Sequence, residues 1–345
     1  MNESVSRTTS SACPLISIVI PCFNEEQSLP VLYRELTTAF ATRPALNYEL
    51  LLVDDGSDDG TSKILESLAA TDRRLRVITL TRNFGHQPAI SAGLEYASGD
   101  AVILADADLQ DPPEVMLQMI DRWREGADVV YAVRARRYSS VAKRAAYHLF
   151  YRLLNSIAEV DIPPDAGDFS LLDRKVVNVI NALPEHNRFV RGLRAWVGYT
   201  QAALPYDRPG RRYGETKYSL GRLSRLAFDG IFDFSTRPLT IIFVLGLTSS
   251  ALSLLGFIFF LAHRLIGFKV FGHSPEEVPG ITSVILAVFF FGGVQLLAVG
   301  VVGEYIGRIY REVKRRPTFI VKAVTQQPVE ISQRAELDAS SSRTT

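Results

Sequence analysis

The sequence predicts an α/β domain with a mostly parallel, Rossmann-like sheet, followed by an interfacial helix and a two-helix transmembrane hairpin. Two observations predict this order. Apolar runs of strand length alternate with segments of helical length before residue 135, and two later stretches, 238–261 and 279–303, contain no Asp, Glu, Lys or Arg. Continuous apolar strands that alternate with helices are typical of parallel sheets covered on both faces.

Five runs in the first part of the chain have the length and the β-branched content of strands: 16–24, 48–55, 75–81, 101–108 and 127–134. The segments between them have helical length and apolar spacing: 28–41, 60–70, 86–97 and 112–125. We expect the carboxyl ends of the strands to meet at one edge of the sheet, which is where such folds bind their ligands.

The two charge-free stretches predict membrane helices. They are 24 and 25 residues long, and about 20 apolar residues at about 1.5 Å each cross a hydrocarbon core of about 30 Å. We therefore expect transmembrane helices at 236–263 and 280–304, joined by a short extracytoplasmic loop at 264–279. A pair of buried core helices is the alternative, but globular helices are seldom so long and so aliphatic.

Positive charge is distributed unevenly around this hairpin. The loop contains Arg264 and Lys269. The outer flanks contain more, namely Lys217, Arg222, Arg225 and Arg237 before the first helix and Arg308, Arg311, Lys314, Arg315, Arg316 and Lys322 after the second. The positive-inside rule then places the α/β domain, 15–218, and both termini in the cytoplasm of a cell with an inner or plasma membrane.

The remaining segments complete the predicted organisation. Residues 219–235 alternate apolar and charged side chains at helical spacing, which favours an interfacial amphipathic helix over an ordinary surface helix. Residues 305–324 form a basic cytoplasmic segment, and the polar termini, 1–14 and 325–345, are predicted to be disordered.

Composition excludes several classes of protein. The chain has 345 residues with 38 Lys and Arg against 37 Asp and Glu, so it lacks the basic excess expected of a nucleic-acid-binding protein. Its only two cysteines, Cys13 and Cys22, exclude a disulfide scaffold and a Cys-rich zinc module. We expect both thiols to be reduced.

Polar side chains follow the predicted strands at the expected ligand-binding edge. Asp106, Asp108 and Gln110 follow the fourth strand, and a spacing of two along an extended segment would put them on one side. Carboxylate and amide oxygens are ligands that divalent cations prefer, and arginines at the same edge suggest phosphate. A turn and helix N-cap before Pro112 is the alternative reading of this segment.

Six motifs occur in order along the chain: ISIVIPCFNEE, LLVDDGSDDGT, TRNFGHQPAISAGLEYASGD, ADADLQDPPE, GDFSLLDR and RRYGETKYS. Together they resemble glycosyltransferase family two, the inverting nucleotide-sugar transferases of GT-A fold. The resemblance is closer to the polyisoprenyl-phosphate glycosyltransferases, the group of dolichol-phosphate mannose synthases and bactoprenol glucosyltransferases. It extends from about Ile16 to Lys322.

The resemblance implies an enzyme that transfers a hexose, glucose from UDP-glucose, to undecaprenyl phosphate at the cytoplasmic membrane face. It also implies Mg²⁺ or Mn²⁺ as cofactor and a tetrameric assembly. A flippase is a candidate partner, which the sequence itself does not identify. Two alternatives stay open at this point: a GDP-mannose-dependent enzyme of the dolichol-phosphate mannose synthase type, and an inactive nucleotide-sugar-binding scaffold at the membrane.

The resemblance also assigns residues to the donor. It implies a nucleotide-sugar site formed by Pro21, Phe23, Asn24, Glu25, Asp55, Asp106, Arg212 and Lys217, with Asp55 at the base. Within the metal group it makes Asp108 and Gln110 direct ligands, and it gives Asp106 to the ribose or the metal. Helix capping is the alternative role of Asn24 and Glu25.

The acceptor would be a lipid phosphate, whose second pKa of about 6 leaves it largely dianionic at neutral pH. Basic side chains are expected to hold it: Arg134, Lys143 and Arg144, for which a solvated basic face is the alternative. The predicted catalytic group is Asp168, Arg134, Arg144 and Lys217, of which Asp168 is implied by the resemblance. Asp168 acts as a base or an orienting group, and we favour orientation because the nucleophile is already ionised. For His86, which follows the third strand, the favoured reading is a satisfied histidine at a helix start.

Overall fold

The computed structural model describes residues 13–134, 166–185, 188–209, 237–266 and 281–325. The chain divides into two compact units, one with an eight-stranded sheet and one with two long helices. The predicted interfacial helix, 219–235, lies outside the described residues, as do nearly all of the predicted loop 264–279 and of the disordered termini.

The elements are as follows in chain order. The strands are β1 (Leu15–Cys22), β2 (Asn47–Asp54), β3 (Leu75–Leu80), β4 (Ala101–Leu104), β5 (Val129–Arg134), β6 (Ala166–Asp173), β7 (Gln201–Tyr206) and β8 (Val321–Thr325). The helices are α1 (Leu29–Ala41), α2 (Thr61–Thr71), α3 (His86–Tyr96), α4 (Pro113–Arg124), α5 (Arg174–Ala182), α6 (Val190–Trp196), α7 (Arg237–Ile266) and α8 (Ile281–Lys314).

The alternation predicted before residue 135 is confirmed as β1 to β5 and α1 to α4. Side chains on both faces of β1 are buried, Ile18 and Ile20 on one face and Val19 on the other, which is why this strand reads as a continuous apolar run. The main difference is β4, which ends at Leu104 and not at residue 108.

The sheet is mixed, with the strand order β7-β5-β6-β4-β1-β2-β3-β8. Strands β1 to β5 and β7 run in one direction, whereas β6 and β8 run against their neighbours. Strand β6 lies between β4 and β5, with Ser170 opposite Leu104. Because β6 is antiparallel, its first residues lie at the edge where the parallel strands end.

Strand β8 was not foreseen by the sequence. It comes from the segments expected to be a basic linker and the start of a disordered tail, and it pairs antiparallel with β3, Val324 opposite Ile78. The N–H of Thr81 also donates to the carbonyl of Ile320 at 3.0 Å. Five residues with partly exposed side chains carry too little periodicity to predict a strand, since the pairing partner decides the structure.

The second unit contains α7 and α8, which overlap the two predicted spans, 236–263 and 280–304, in all but the first residue of each. Apolar side chains on both helices are exposed, including Phe243 and Leu296. Among the residues described, Phe290–Lys314 is the single stretch with the length and composition to cross a membrane, and Leu239–Ser249 is a shorter apolar segment. The two-span hairpin therefore stays a prediction.

Helix α3 packs closely on the sheet through Gly93. A Cβ atom at this position would lie 2.1 Å from Cγ1 of Val19 in β1 and 3.2 Å from its Cβ. The branched Val19 side chain is itself fully buried, so it has no free direction in which to move. The absence of a side chain at residue 93 therefore sets the distance between α3 and the sheet.

We expect Gly93→Ala to destabilise the first unit, because overpacking of about 1–3 kcal/mol exceeds the gain of about 0.5–1 kcal/mol from replacing a helical glycine. Thermal unfolding of the purified protein measures the effect. Val19→Ala removes the clashing methyl groups, so the same glycine substitution should cost less in that background. Equal costs in both backgrounds would show that Val19 is not the cause.

Candidate active site

Left-handed residues occur in the loops that follow β1, β2, β3 and β4. They are Asn24 (φ 56°), Gly56 (φ 67°), Gly85 (φ 107°) and Leu109 (φ 60°). A left-handed conformation is unfavourable for a side chain such as leucine, and such residues concentrate at functional sites. Asn24 and Leu109, two of the three non-glycine residues with positive φ in the described part of the chain, lie at the edge that the polar residues indicate.

The loop after β2 packs directly against the loop after β3. A Cβ atom on Gly56 would lie 2.5 Å from the carbonyl carbon of Arg82, so only glycine permits this approach. Asp55 joins the same two loops, since its carboxylate accepts the N–H groups of Phe84 at 2.7 Å and Gly85 at 2.9 Å. Asp55 is 3% exposed, and in this structure it orders the loop that leads into α3.

Two of the residues expected to bind the nucleotide support local structure. Asn24 accepts the N–H of Asp58 through Oδ1 at 3.0 Å, and the Glu25 carboxylate accepts the Ser28 hydroxyl at 2.5 Å just before α1. Neither contact is a helix cap, since the N-cap residue of α1 is Ser28 and no side chain accepts a backbone N–H at the start of this helix. The other two, Pro21 and Phe23, lie on β1 and in the loop that follows it. The nucleotide-binding roles of all four stay predictions.

The predicted metal ligands do not lie on an extended segment. Strand β4 ends at Leu104 and Leu109 is left-handed, so the expectation that a spacing of two aligns Asp106, Asp108 and Gln110 is wrong. The carboxylates of Asp106 and Asp108 nevertheless lie near each other, because both contact the same guanidinium. Nη2 of Arg208 lies 3.6 Å from Oδ2 of Asp106 and 3.8 Å from Oδ2 of Asp108. Gln110 turns its Nε2 toward the carbonyl of Pro209 at 3.0 Å.

Asp168 belongs to the same site because β6 is antiparallel. Continuing the β4–β6 register by two residues places Asp168 opposite Asp106. The imidazole of His86 lies between them, its Nε2 at 3.5 Å from Oδ1 of Asp106 and 3.7 Å from Oδ2 of Asp168. Arg191 contacts the same Asp168 oxygen at 3.4 Å.

Opposite charges set the protonation of this pair. Partial burial lowers the pKa of His86, but the carboxylates of Asp168 and Asp106 outweigh it and raise that pKa to about 9. Burial likewise raises the pKa of Asp168, but Arg191 and His86 lower it further, to well below its usual range. At neutral pH the site therefore contains an imidazolium beside an ionised Asp168.

Asp111 lies in the same loop as Asp106 and Asp108. It is buried and accepts the N–H of Asp106 at 3.0 Å, with the Tyr206 hydroxyl at 3.4 Å. Burial and the charge of Asp106 raise the pKa of Asp111 to about 7. Asp111 thus supports the backbone of the Asp106 loop and is partly protonated at neutral pH.

The basic residues expected at the acceptor are only partly described. Arg134 ends β5 opposite Tyr206 of β7. The other basic residues assigned to the site, Lys143, Arg144, Arg212 and Lys217, lie outside the described residues. Their roles stay predictions.

Sequence reasoning missed three residues that the structure brings to the site, and for a fourth, His86, it favoured a structural role at the start of a helix. His86 and Gln87 lie in a quoted motif after β3, so their position was visible but their contacts were not. Arg191 lies on α6, a helix of seven residues that is too short for a periodic pattern. Arg208 follows β7, which was not predicted, so nothing placed it at the carboxyl edge.

We expect His86→Asn to destabilise the fold in a pH-dependent manner. Because folding raises the pKa of His86 to about 9 from an ordinary value of about 6.5, its contribution is complete below pH 6.5 and is lost as the pH rises through 9. Melting temperatures of wild type and variant in EDTA should differ most at pH 6 and converge near pH 10. His263→Asn, in the second unit, is the control, and a difference that stays constant with pH would contradict the assignment.

The chemistry of this group fits a magnesium or manganese ion. Asp106, Asp108 and the amide oxygen of Gln110 are hard oxygen donors. They do not form a complete metal cage, since no group of three or more His, Cys, Asp or Glu side chains comes together in the described part of the chain. Mg²⁺ commonly binds through one or two carboxylates and completes its coordination with water and substrate phosphates. Such an ion would need a phosphorylated substrate to complete its site.

Comparison with known proteins identifies relatives of this chain. The model of the glycosyl transferase family 2 matches residues 17–180. An uncharacterized glycosyltransferase of Synechocystis is 46% identical over 89% of this chain and 94% of its own. A prophage-derived bactoprenol glucosyl transferase of Shigella flexneri is 42% identical over 89% of this chain and 97% of its own. Among solved structures, glucosyl-3-phosphoglycerate synthase from Mycobacterium tuberculosis has a TM-score of 0.41 and 18% identity over 64% of this chain and 78% of that one.

Proposed function

The chain belongs to glycosyl transferase family 2, and from this premise we propose that it transfers glucose from UDP-glucose to undecaprenyl phosphate. The observation that carries the proposal is the 42% identity, over 89% of this chain, to a protein named as a bactoprenol glucosyl transferase. The site supports it, because carboxylates suited to a divalent ion lie beside fixed cations at the carboxyl edge of the sheet.

The proposed reaction is a single in-line displacement. An oxygen of the lipid phosphate attacks C1 of glucose while the bond from C1 to UDP breaks, which inverts the anomeric centre. The phosphate dianion needs no base, so the protein contributes placement and charge. A divalent ion held by Asp106, Asp108 and Gln110 would offset the charge that develops on the leaving diphosphate.

The chain's own residues take the following roles in this proposal. Arg208, beside both carboxylates, faces the diphosphate, together with Arg212 and Lys217. Arg134, Lys143 and Arg144 hold the acceptor phosphate through charge-assisted hydrogen bonds. The ionised carboxylate of Asp168 accepts a hydrogen bond from a sugar hydroxyl and orients the hexose, and His86 and Arg191 keep that carboxylate charged and in place.

We place the reaction at the cytoplasmic face of an inner or plasma membrane. Helices α7 and α8 would anchor the first unit at the depth of the lipid phosphate, as the lengths of the two charge-free stretches suggest. A tetramer, and a flippase that moves the lipid-linked glucose outward for envelope glycosylation, complete this proposal.

A panel of labelled sugar nucleotides tests the proposed function. Membranes containing the protein are supplied with undecaprenyl phosphate and labelled UDP- or GDP-sugars, and the label that becomes extractable into organic solvent is counted. UDP-glucose should give the highest count, and EDTA should abolish it until Mg²⁺ or Mn²⁺ is restored. Label only from GDP-mannose would replace the donor assignment, and binding of UDP-glucose without labelled lipid would indicate an inactive scaffold.

A further inference from the structure

Gln87 joins three parts of the site through one side chain. It is the second residue of α3, and its Oε1 accepts the N–H of Val190, the first residue of α6, at 3.0 Å. Its Nε2 donates to Oδ2 of Asp168 at 3.2 Å. The amide therefore connects α3, the start of α6 and the carboxylate that β6 brings to the site.

The chemistry of the contacts fixes the orientation of this amide. The N–H of Val190 can only donate, so the oxygen of Gln87 must face it and the nitrogen must face Asp168. The N-terminal N–H groups of a helix have no partner within the helix, and Phe189 supplies no side-chain cap to α6. Gln87 supplies that acceptor, so its side chain is held at both ends.

The two oxygens of the Asp168 carboxylate have different surroundings. Oδ2 receives both Gln87 and Arg191, whereas Oδ1 is buried and has no hydrogen-bond partner among the described residues. A buried acceptor that lacks a donor is unfavourable until one arrives. A carboxylate fixed through one oxygen keeps its second oxygen in a constant position.

We propose that Gln87 is the positioning residue for Asp168: it holds Oδ2 against the start of α6 and so fixes the position of the carboxylate that orients the hexose. This inference rests on the proposed function and identifies what orients the hexose. Gln87 itself touches neither the sugar nor the lipid phosphate in this assignment, and it acts through Asp168.

Two substitutions separate positioning from simple packing between α3 and α6. Gln87→Glu keeps an oxygen for the N–H of Val190 but opposes Asp168 with a second negative charge. Gln87→Met keeps the length of the side chain and removes both hydrogen bonds. Positioning predicts that Gln87→Glu lowers kcat at least as much as Gln87→Met, about 30-fold, while the KM for UDP-glucose changes less than about 3-fold.

A role in packing alone predicts the reverse order. Gln87→Glu would then be the milder change because it keeps the bond to α6, and kcat would fall in parallel with the melting temperature. Gln118→Met, on the exposed side of α4, is the control for the chemical change and should retain wild-type kinetics.

A double-mutant cycle with Asp168→Asn gives the decisive readout. If Gln87 acts through Asp168, Gln87→Met should lower kcat by less than about 3-fold once Asp168 is replaced, although it costs about 30-fold in wild type. Equal losses of kcat in the two backgrounds would overturn the inference. The proposed function would still stand in that case, provided that the wild-type protein synthesises glycolipid. A wild-type protein that labels no lipid with any donor would refute the function, and the inference with it.

Discussion

Asp108→Asn is expected to lower kcat about 10³-fold, the size of effect seen when one preorganised electrostatic contact to a developing charge is removed. Asp108 is 7% exposed, and its carboxylate accepts the N–H of Gln110 at 3.2 Å and lies near Arg208. The substitution keeps the shape of the side chain but removes its charge and one hard oxygen. The variant should also require far more Mg²⁺ or Mn²⁺ for half-maximal activity, which a metal titration of labelled lipid synthesis measures.

Asp111→Asn is the matched control for this experiment. Asp111 lies in the same loop and is also buried, but it accepts the N–H of Asp106 and the Tyr206 hydroxyl. Since its pKa is about 7, it is already partly neutral, and we expect a loss below about 10-fold. Equal losses of kcat in the two variants would show that the total charge of the loop causes the effect. Asp108 would then not be the principal metal ligand.

Asp168→Asn should lower kcat about 10²-fold with little change in the KM for UDP-glucose, because misplacement of a reactant by about 1 Å has that effect. The low pKa of Asp168 makes it a weak base, and in the proposed reaction the phosphate nucleophile carries no proton that must be removed. The dependence of kcat on pH between 6 and 9 should therefore keep its wild-type form. Steady-state assays across this range measure both quantities.

Asp173→Asn, at the far end of the same strand, controls for the loss of a carboxylate from β6. Asp173 caps α5 and accepts the Trp123 indole N–H at 2.8 Å, so its replacement should affect stability and not turnover per folded molecule. A loss near 10⁴-fold at Asp168 with an altered pH profile would indicate a general base. Unchanged turnover would remove Asp168 from the active site.

The part of the fold that the sequence predicted is the part with strongly apolar strands. Most side chains of β1, β2 and β4 are buried, and the helices α1 to α4 begin and end within a few residues of the predicted bounds. Strands β6, β7 and β8 escaped prediction. Strand β6 is as long as β1 but begins with small and polar residues, and β8 has five residues of which three are exposed. Both are defined by their antiparallel neighbours. Local sequence patterns therefore predicted the fold class, but they did not predict the order of the strands in the sheet.

The candidate site was predicted as a set of residues and not as a geometry. Asp106, Asp108 and Asp168 were named from their motifs, but the closeness of Asp106 to Asp168 depends on the insertion of β6 beside β4. The left-handed Leu109 broke the assumption of an extended segment. The contacts of His86, Gln87, Arg191 and Arg208 depend on three elements meeting, which no spacing along one chain reveals.

Strand β8 has a consequence for how the protein is made. Residues 321–325 leave the ribosome only after both long helices have been synthesised, yet β3, completed by residue 80, receives its outer neighbour from them. Until then β3 is an open edge that can pair with another nascent chain. Maturation of the sheet is thereby coupled to completion of the helices, and a version of the protein shortened before Val321 would leave that edge uncovered for its lifetime.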